Sequence, residues 1–266
     1  MSRPRMALSF AVSLGLAGAL VLAGCGAAAG TANKKGAAAG GVKGAFPIQY
    51  DTVGFLAPGQ SGPTPGFGPN HDLDNATAPK PGPYTVTAGS AKVTFNFPQT
   101  VNAATPPNDI LEVAYGSKAT VKAAPGKYKR IYFLAGVASG PEPATVTLTY
   151  TDGSTQKETV GFDDWCTSEI ANQPVSGTYP AWQGLRRIGE TDGSTQKVSG
   201  GGYTGTNQGC GLYVSHVAAN PAKTLKSLTI SNTLSTVPSS MSGSGQGQIK
   251  SISTSSRIGI VAITGV

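Results

Sequence analysis

The sequence Ala144-Thr-Val-Thr-Leu-Thr-Tyr150 alternates apolar and polar residues, so Val146, Leu148 and Tyr150 fall on one face of an extended chain. This period of two predicts a half-buried strand. The next residues, Thr151-Asp-Gly-Ser-Thr155, contain the Asp-Gly dipeptide of a tight hairpin, because glycine adopts a positive φ without steric cost. A second strand over residues 157–162 is expected to complete the hairpin.

Segments of the same kind recur along the chain. They cover residues 84–88, 92–97, 119–122, 130–134, 211–217, 224–231, 248–253 and 257–264. No run of eleven or more residues has helical spacing, and 37 glycines and 19 prolines punctuate the chain. The sequence therefore predicts an all-β fold, a sandwich of antiparallel sheets that forms a single domain over residues 46–266.

The first 24 residues have the layout of a secretory signal peptide. Arg3 and Arg5 precede an apolar run over residues 6–22, and small residues follow it. The sequence Leu22-Ala-Gly-Cys25 resembles the lipobox of bacterial lipoproteins, and this resemblance implies cleavage before Cys25 and diacylation of Cys25. The alternative is an uncleaved membrane anchor, because the apolar run is nearly long enough to span a bilayer. Both interpretations place the bulk of the protein outside the cytoplasm, attached to the outer face of the cell membrane.

Residues 25–45 are rich in glycine, alanine and lysine and predict a flexible tether between anchor and domain. Its lysines are expected to rest on anionic lipid head groups. The net charge of +7 is uneven, since residues 46–266 hold 15 basic and 13 acidic side chains. A nearly neutral domain without a basic stripe lacks the charge pattern of a nucleic-acid-binding protein, so no nucleic-acid partner is expected.

Cys166 and Cys210 are the two cysteines that remain when Cys25 carries lipid. In an oxidising compartment such a pair favours a disulfide. Two free buried thiols or a metal site are the alternatives. The wide spacing, the lack of a CxxC motif and the lack of a neighbouring histidine argue against zinc.

Several segments, in a consistent order, carry a family resemblance. They include Tyr50-Asp-Thr-Val-Gly-Phe55, Asn108-Asp-Ile-Leu-Glu-Val-Ala-Tyr-Gly116 and Val160-Gly-Phe-Asp-Asp-Trp-Cys166, together with the hairpin of residues 144–155. The chain resembles the galactose-binding-like β-sandwich modules attached to secreted glycoside hydrolases of actinobacteria. This resemblance implies a jelly-roll-like sandwich with a role in carbohydrate or cell-surface binding rather than in catalysis.

Tyr179, Trp182 and Tyr203 are the candidate ligand-binding residues, because they stand in surroundings rich in glycine and proline. Sugars present apolar C–H faces that stack on aromatic rings. The competing interpretation is that these rings close the ends of the sandwich beneath long loops. Trp165, which lies next to a cysteine, is expected in the core.

Asp51, Asp72 and Asp74 are candidate ligands of a structural calcium ion, since calcium takes carboxylate and carbonyl oxygens. Solvated turn carboxylates are the alternative. Asp163 and Asp164 are adjacent, so in a strand their carboxylates would point to opposite faces and would not form a catalytic pair. Asp164 is expected to cap a turn or to bind calcium. Apart from this possible calcium, no cofactor is expected.

The sequence contains neither an HExxH zinc motif nor a GxSxG nucleophile elbow. The expected function is therefore that of a lipid-anchored, non-enzymatic protein that binds carbohydrate or cell-envelope glycan. A structural lipoprotein that contacts another envelope protein is the alternative. A hydrolase with an unrecognised site is a lesser alternative.

Overall fold

The computed structural model describes residues 42–56, 59–60, 71–74, 78–98, 107–166, 175–183, 186–189, 195–197, 210–243 and 248–266. Within these ranges the chain forms strands and no helix, which confirms the all-β prediction. The predicted signal peptide, Cys25 and most of the predicted tether lie outside the described residues.

Fifteen strands occur in the described part of the chain. They are β1 (Phe55–Leu56), β2 (His71–Asp74), β3 (Gly82–Ala88), β4 (Ala91–Phe97), β5 (Leu111–Ala114), β6 (Lys118–Gly126), β7 (Arg130–Ala138), β8 (Glu142–Tyr150), β9 (Thr155–Phe162), β10 (Tyr179–Gln183), β11 (Arg186–Gly189), β12 (Thr195–Lys197), β13 (Gly211–Ala218), β14 (Leu225–Ser231) and β15 (Arg257–Gly265).

Nine of the ten predicted strand segments lie in these strands, and β8 and β9 form the expected hairpin with Gly153 at a φ of +82°. The predicted strand over residues 248–253 is wrong. Ile249 forms only an isolated bridge with Ser242, and the amide of Ser253 donates a hydrogen bond to the carboxylate of Glu142. A side-chain acceptor thus takes an amide that a sheet ladder would otherwise use.

Two antiparallel sheets form the predicted sandwich. One has five strands in the order β10-β13-β7-β15-β5, and the other has four in the order β6-β14-β8-β9. The inner core lies between them. It is built from alternate residues of the facing strands, among them Ile131, Phe133, Val146, Leu148, Phe162, Leu228 and Ile260.

A further layer covers the other face of the five-stranded sheet. It contains the antiparallel hairpin β3–β4 and a small sheet in the order β1-β2-β11-β12, in which β1 and β2 are parallel. The outer core lies beneath this layer and includes Phe55, Leu73, Phe95, Phe97, Leu134, Trp165, Leu212 and Val261. The five-stranded sheet is therefore the middle layer, and every residue of β7 from Ile131 to Ala138 is buried. Near-continuous apolar sequence is the pattern expected for a strand covered on both faces.

Cys166 and Cys210 form a disulfide, as predicted. The bond joins the segment after β9 to the residue before β13. Trp165, 4% exposed, packs in the outer core together with Cys210, which confirms its predicted core position. The disulfide thus links the segment after β9 to the start of β13 in the middle sheet.

Residues 42–46 run beside the end of β15. The amide of Gly265 donates a hydrogen bond to the carbonyl oxygen of Gly44 at 2.9 Å, and Ala45 forms an antiparallel bridge with Thr264. Gly44 has a φ of +82°, and a Cβ at this position would overlap the carbonyl oxygen of Gly265. Both the backbone conformation and the close approach therefore require glycine.

Candidate functional site

Strand β10 carries two of the predicted ligand-binding residues, Tyr179 and Trp182. In regular β structure, residues three apart point to opposite faces. A bulge between Pro180 and Trp182 changes this, because Tyr179 pairs with Val214 and Trp182 pairs with Leu212. Both rings consequently pack against the outer core. The bulge thus brings both predicted residues to the same face of the middle sheet.

Tyr179 belongs to a row of three rings that crosses β10, β13 and β7. The centroid of the Tyr179 ring lies 6.3 Å from that of His216, with an interplanar angle of 24°. The His216 ring lies 5.4 Å from that of Tyr132, its direct partner in the β7–β13 register, at an angle of 31°. We call Tyr132, His216 and Tyr179 the aromatic row. Tyr132 is buried, whereas His216 and Tyr179 are partly exposed.

The aromatic row has a cationic neighbour and a close neighbour in the outer layer. Arg130 is exposed, and its guanidinium group interacts electrostatically with Tyr132 and Tyr179. At the other end of the row, a Cβ on Gly89 would lie 3.0 Å from the hydroxyl of Tyr179, so the turn of the β3–β4 hairpin closely approaches that hydroxyl. The partly exposed rings therefore lie between a guanidinium group and a main-chain turn.

Burial lowers the pKa of His216 below its ordinary value, and the charge of Arg130 lowers it further, while a hydrogen bond with the main chain of Gly177 opposes both. The imidazole is therefore neutral at pH 7. A neutral imidazole offers a flat aromatic face rather than a second positive charge. The local positive charge in the aromatic row comes from Arg130.

Trp182 packs more deeply into the fold than the sequence alone indicates. Its ring lies 6.3 Å from that of Phe55 at an angle of 47° and borders the outer core, although part of it stays accessible. The adjacent carbonyl of Ala181 accepts a hydrogen bond from the hydroxyl of Tyr84 at 2.6 Å. Trp182 thus packs against the outer core. Tyr203, the third predicted contact residue, lies outside the described residues.

The predicted calcium ligands are only partly described. Asp51 is exposed, and its Oδ1 accepts hydrogen bonds from the amide of Glu112 at 2.9 Å and from the hydroxyl of Thr52 at 3.2 Å. Asp72 and Asp74 lie in β2, and their side chains are outside the described part of the structure. Among the described residues, no group of three or more His, Cys, Asp or Glu side chains is placed to hold a metal ion. The calcium site stays a prediction.

Asp163 and Asp164 form an adjacent pair of acids. Strand β9 ends at Phe162, so the two residues lie in the segment after it, and both side chains are buried. Oδ1 of Asp164 accepts a hydrogen bond from the amide of Cys166 at 2.8 Å, and Oδ2 accepts one from the amide of Gly140 at 3.0 Å. These bonds agree with the predicted turn-capping role of Asp164.

Asp163 holds a second turn. Its Oδ2 accepts hydrogen bonds from the amide of Val175 at 2.9 Å and the hydroxyl of Thr178 at 3.0 Å. Its Oδ1 accepts the amide of Asp164 at 3.0 Å. Together the two carboxylates bind amides of the β7–β8 turn and of the segment that leads into β10. Their geometry suits the organisation of main chain near the disulfide.

Two other buried carboxyl groups were not predicted. Asp109 accepts a hydrogen bond from the amide of Gly54 at 2.7 Å, and Glu142 accepts one from the amide of Ser253. Burial raises the pKa of Asp109 well above its ordinary value, and it raises the pKa of Glu142 and of Asp164 to about 7. No local sequence motif marks these acids as buried, because their amide partners are distant in the chain.

The described carboxyl groups and the aromatic row suit different tasks. Asp109, Glu142, Asp163 and Asp164 are buried and bind main-chain amides, so their chemistry supports the fold. The aromatic row combines partly exposed rings with a cationic hydrogen-bond donor. Apolar faces with a few polar groups beside them are typical of small-molecule and sugar contacts.

A scan of the chain against protein-family models finds no matching family, and a search of curated proteins finds no match. Within the described ranges, no helix is both long enough and apolar enough to cross a membrane.

Proposed function

We propose that this chain is a lipid-anchored protein of the cell envelope that binds carbohydrate without transforming it, and that the exposed part of the aromatic row contacts the sugar. The observation that carries this proposal is the stacking of Tyr179 on His216 beside the exposed Arg130. An aromatic ring matches the C–H face of a sugar ring, while a guanidinium group donates hydrogen bonds to sugar hydroxyl or carboxylate oxygens.

The buried acids support a binding role over a hydrolytic one. A glycosidase places two carboxyl groups across a sugar ring, about 5 to 10 Å apart, where substrate can reach them. Asp163 and Asp164 are buried and satisfy main-chain amides instead. We therefore assign these two acids to the fold and not to a reaction.

The proposal includes membership of the galactose-binding-like class of jelly-roll sandwiches. Two packed antiparallel sheets of five and four strands are compatible with that class. The position of the aromatic row is also compatible with that class. The row reaches β10, an edge strand of the five-stranded sheet, where neighbouring segments can border a ligand.

A glycan array tests the carbohydrate proposal. The full-length protein in detergent should bind a subset of glycans, and Arg130→Ala should raise the dissociation constant for them by about fivefold or more. Because Arg130 is exposed, this variant keeps the fold. Tyr179→Ala should weaken binding at least as much, through loss of the stacking face. Tyr115→Ala, a partly exposed tyrosine next to β5, serves as the matched control and should bind like the parent.

Absence of binding to every glycan would overturn the carbohydrate proposal and would favour the alternative of an envelope-protein partner. Equal weakening by Tyr115→Ala and Tyr179→Ala would also contradict the assignment of the site. Circular dichroism spectra and thermal midpoints of each variant separate loss of binding from loss of fold.

The lipid anchor has an independent test. Cells that express the parent protein should incorporate labelled palmitate into it, and Cys25→Ala should abolish the incorporation and release the protein from washed membranes. Cys210→Ser should retain the label. A Cys25→Ala protein that still carries palmitate would contradict acylation at Cys25, and one that stays in the membrane without label would indicate the uncleaved apolar anchor.

A further inference from the structure

We infer that one end of the folded domain lies against anionic lipid head groups of the membrane. This end, which we call the lysine end, presents the side chains of Lys43, Lys92, Lys127 and Lys129. The inference rests on the lipid anchor of the proposed function, and it adds the orientation that the anchored domain adopts.

Backbone contacts bring Lys43, Lys127 and Lys129 together around Gly265, the last residue of β15, and Val266. Gly44, the residue after Lys43, accepts the hydrogen bond from Gly265, and the amide of Lys129 donates one to the carbonyl oxygen of Val266 at 2.7 Å. Tyr128, which separates Lys127 from Lys129, packs its ring 5.7 Å from that of Phe46. The loop between β6 and β7 therefore adjoins the segment that carries Lys43.

Lys92 joins this group through a depression in the surface. The depression has a volume of about 460 Å³, and its lining includes Lys43, Lys92, Thr94, Thr264 and Val266. Two lysines and two threonines, whose side chains carry hydrogen-bond donors, thus line one concave surface. These donors match the phosphate oxygens of lipid head groups.

The lysine end concentrates positive charge in one part of the domain surface. All four lysines are exposed. Near this end, Asp152 forms a 3.0 Å ion pair with Lys223, so its charge already has a partner. Residues 46–266 as a whole are nearly neutral, with 15 basic and 13 acidic side chains. Lysines near an anionic leaflet are attracted to it over about a Debye length.

The predicted tether meets the domain at this same end. About 16 residues separate Cys25 from Val42, and a flexible chain of that length has an average reach of roughly 20 to 25 Å. A lipid on Cys25 would therefore hold Lys43 close to the bilayer. Because the tether already holds the domain at the membrane, contact between the lysine end and the lipid head groups is effectively intramolecular. Four weak charge contacts therefore suffice to orient the domain.

Lysine footprinting on vesicles tests the orientation. The lipidated full-length protein is placed in vesicles of phosphatidylcholine, or of phosphatidylcholine with about a quarter phosphatidylglycerol, and lysines are acetylated with an activated ester and quantified by mass spectrometry. We expect labelling of the four lysines to fall about threefold or more on the anionic vesicles. Lys118 and Lys250, which are exposed elsewhere on the domain, should label equally on both. High salt should remove the protection.

A pair of variants supplies the control. Lys127→Gln/Lys129→Gln should restore much of the labelling of Lys43 and Lys92 on anionic vesicles, whereas Lys118→Gln/Lys250→Gln should leave their protection intact. If the protein floats with neutral vesicles but its four lysines label equally on both vesicle types, the orientation is wrong and the anchor stands. Equal protection of all lysines would also overturn the orientation. Failure to float with either vesicle type would overturn the lipid anchor and the orientation with it.

Discussion

The carboxylate of Asp163 accepts a hydrogen bond from the amide of Val175 at 2.9 Å, and it thereby joins the end of β9 to the segment that leads into β10. Asp163→Ala would leave three buried donors without this acceptor: the amides of Val175 and Asp164 and the hydroxyl of Thr178. We expect a loss of roughly 3 kcal/mol in the free energy of unfolding, measured by urea denaturation.

An exposed aspartate provides the comparison for Asp163. Asp51 also accepts a main-chain amide, but water can replace its carboxylate. Asp51→Ala should therefore cost less than about 1 kcal/mol. Equal losses in the Asp163 and Asp51 variants would contradict the structural role assigned to Asp163.

Stability should depend on pH through the buried acids. The folded-state pKa of Glu142 and of Asp164 is raised to about 7, above the ordinary values of 4.5 and 3.8. The folded protein therefore binds more protons than the unfolded chain across this range, and stability is lost as pH rises from about 4 to 7. The lowered pKa of His216 acts in the opposite direction below about pH 6.5. We expect the free energy of unfolding to be about 2 kcal/mol higher at pH 5.5 than at pH 8.

Replacement of Glu142 tests the source of this pH dependence. Glu142→Gln removes one of the carboxyl groups whose pKa is raised. The difference in the free energy of unfolding between pH 5.5 and pH 8 should therefore shrink by a third or more. Asp152→Asn is the matched control, because the pKa of the exposed Asp152 is lowered to about 2, mainly by hydrogen bonds from Ser154, and lies below this window. Greater stability of the parent at pH 8 than at pH 5.5 would contradict the assignment.

Reduction of the disulfide should destabilise the domain. The bond between Cys166 and Cys210 closes a loop with a sequence separation of 44 residues, and such a loop contributes about 4 kcal/mol in the chain-entropy model. A reducing agent should therefore lower the urea midpoint of the parent. The Cys166→Ser/Cys210→Ser variant should unfold at the same low midpoint with or without reductant. An unchanged midpoint after complete reduction of the parent would contradict this expectation.

Gly44 should be far more sensitive to substitution than another glycine with the same backbone conformation. Gly44→Ala adds a Cβ that overlaps the carbonyl oxygen of Gly265, in addition to the strain of a φ of +82°. Gly116 has a φ of +80° and open space around it. We expect Gly116→Ala to cost about 1 kcal/mol and Gly44→Ala to cost about 2 to 3 kcal/mol in thermal unfolding. Similar losses in both variants would contradict the close approach at Gly44.

The local pattern of the sequence identifies strands well but not layers. Residues 144–150 alternate clearly because one face of β8 meets the inner core and the other meets water. In β7 and β15 the alternation is lost, because both faces are covered and nearly every position is apolar. Those two runs are typical of a middle sheet, yet the elements that cover them, such as β1 and β2, are too short to show a period of their own.

The sequence predicts the candidate site less well than it predicts the strands. The sequence marks Tyr179 and Trp182 as aromatic residues in irregular surroundings, but the bulge that turns both toward the outer core depends on pairing with β13. The stacking of His216 between Tyr132 and Tyr179 depends on the register of three strands. The burial of Asp109 and Glu142 likewise depends on amide partners that are 55 and 111 residues away.

A sheet that is covered on both faces divides the apolar interior into two compartments with separate sets of side chains. Such a molecule can open in stages, since loss of the hairpin β3–β4 exposes one compartment and leaves the other closed. We expect amide hydrogen exchange to resolve two stability classes, a faster one in β3 and β4 and a slower one in β7, β8 and β14. Loosening of the outer layer over two firmly packed sheets would let the β3–β4 turn beside Tyr179 adjust to ligands of different size, while the five-stranded and four-stranded sheets keep their shape.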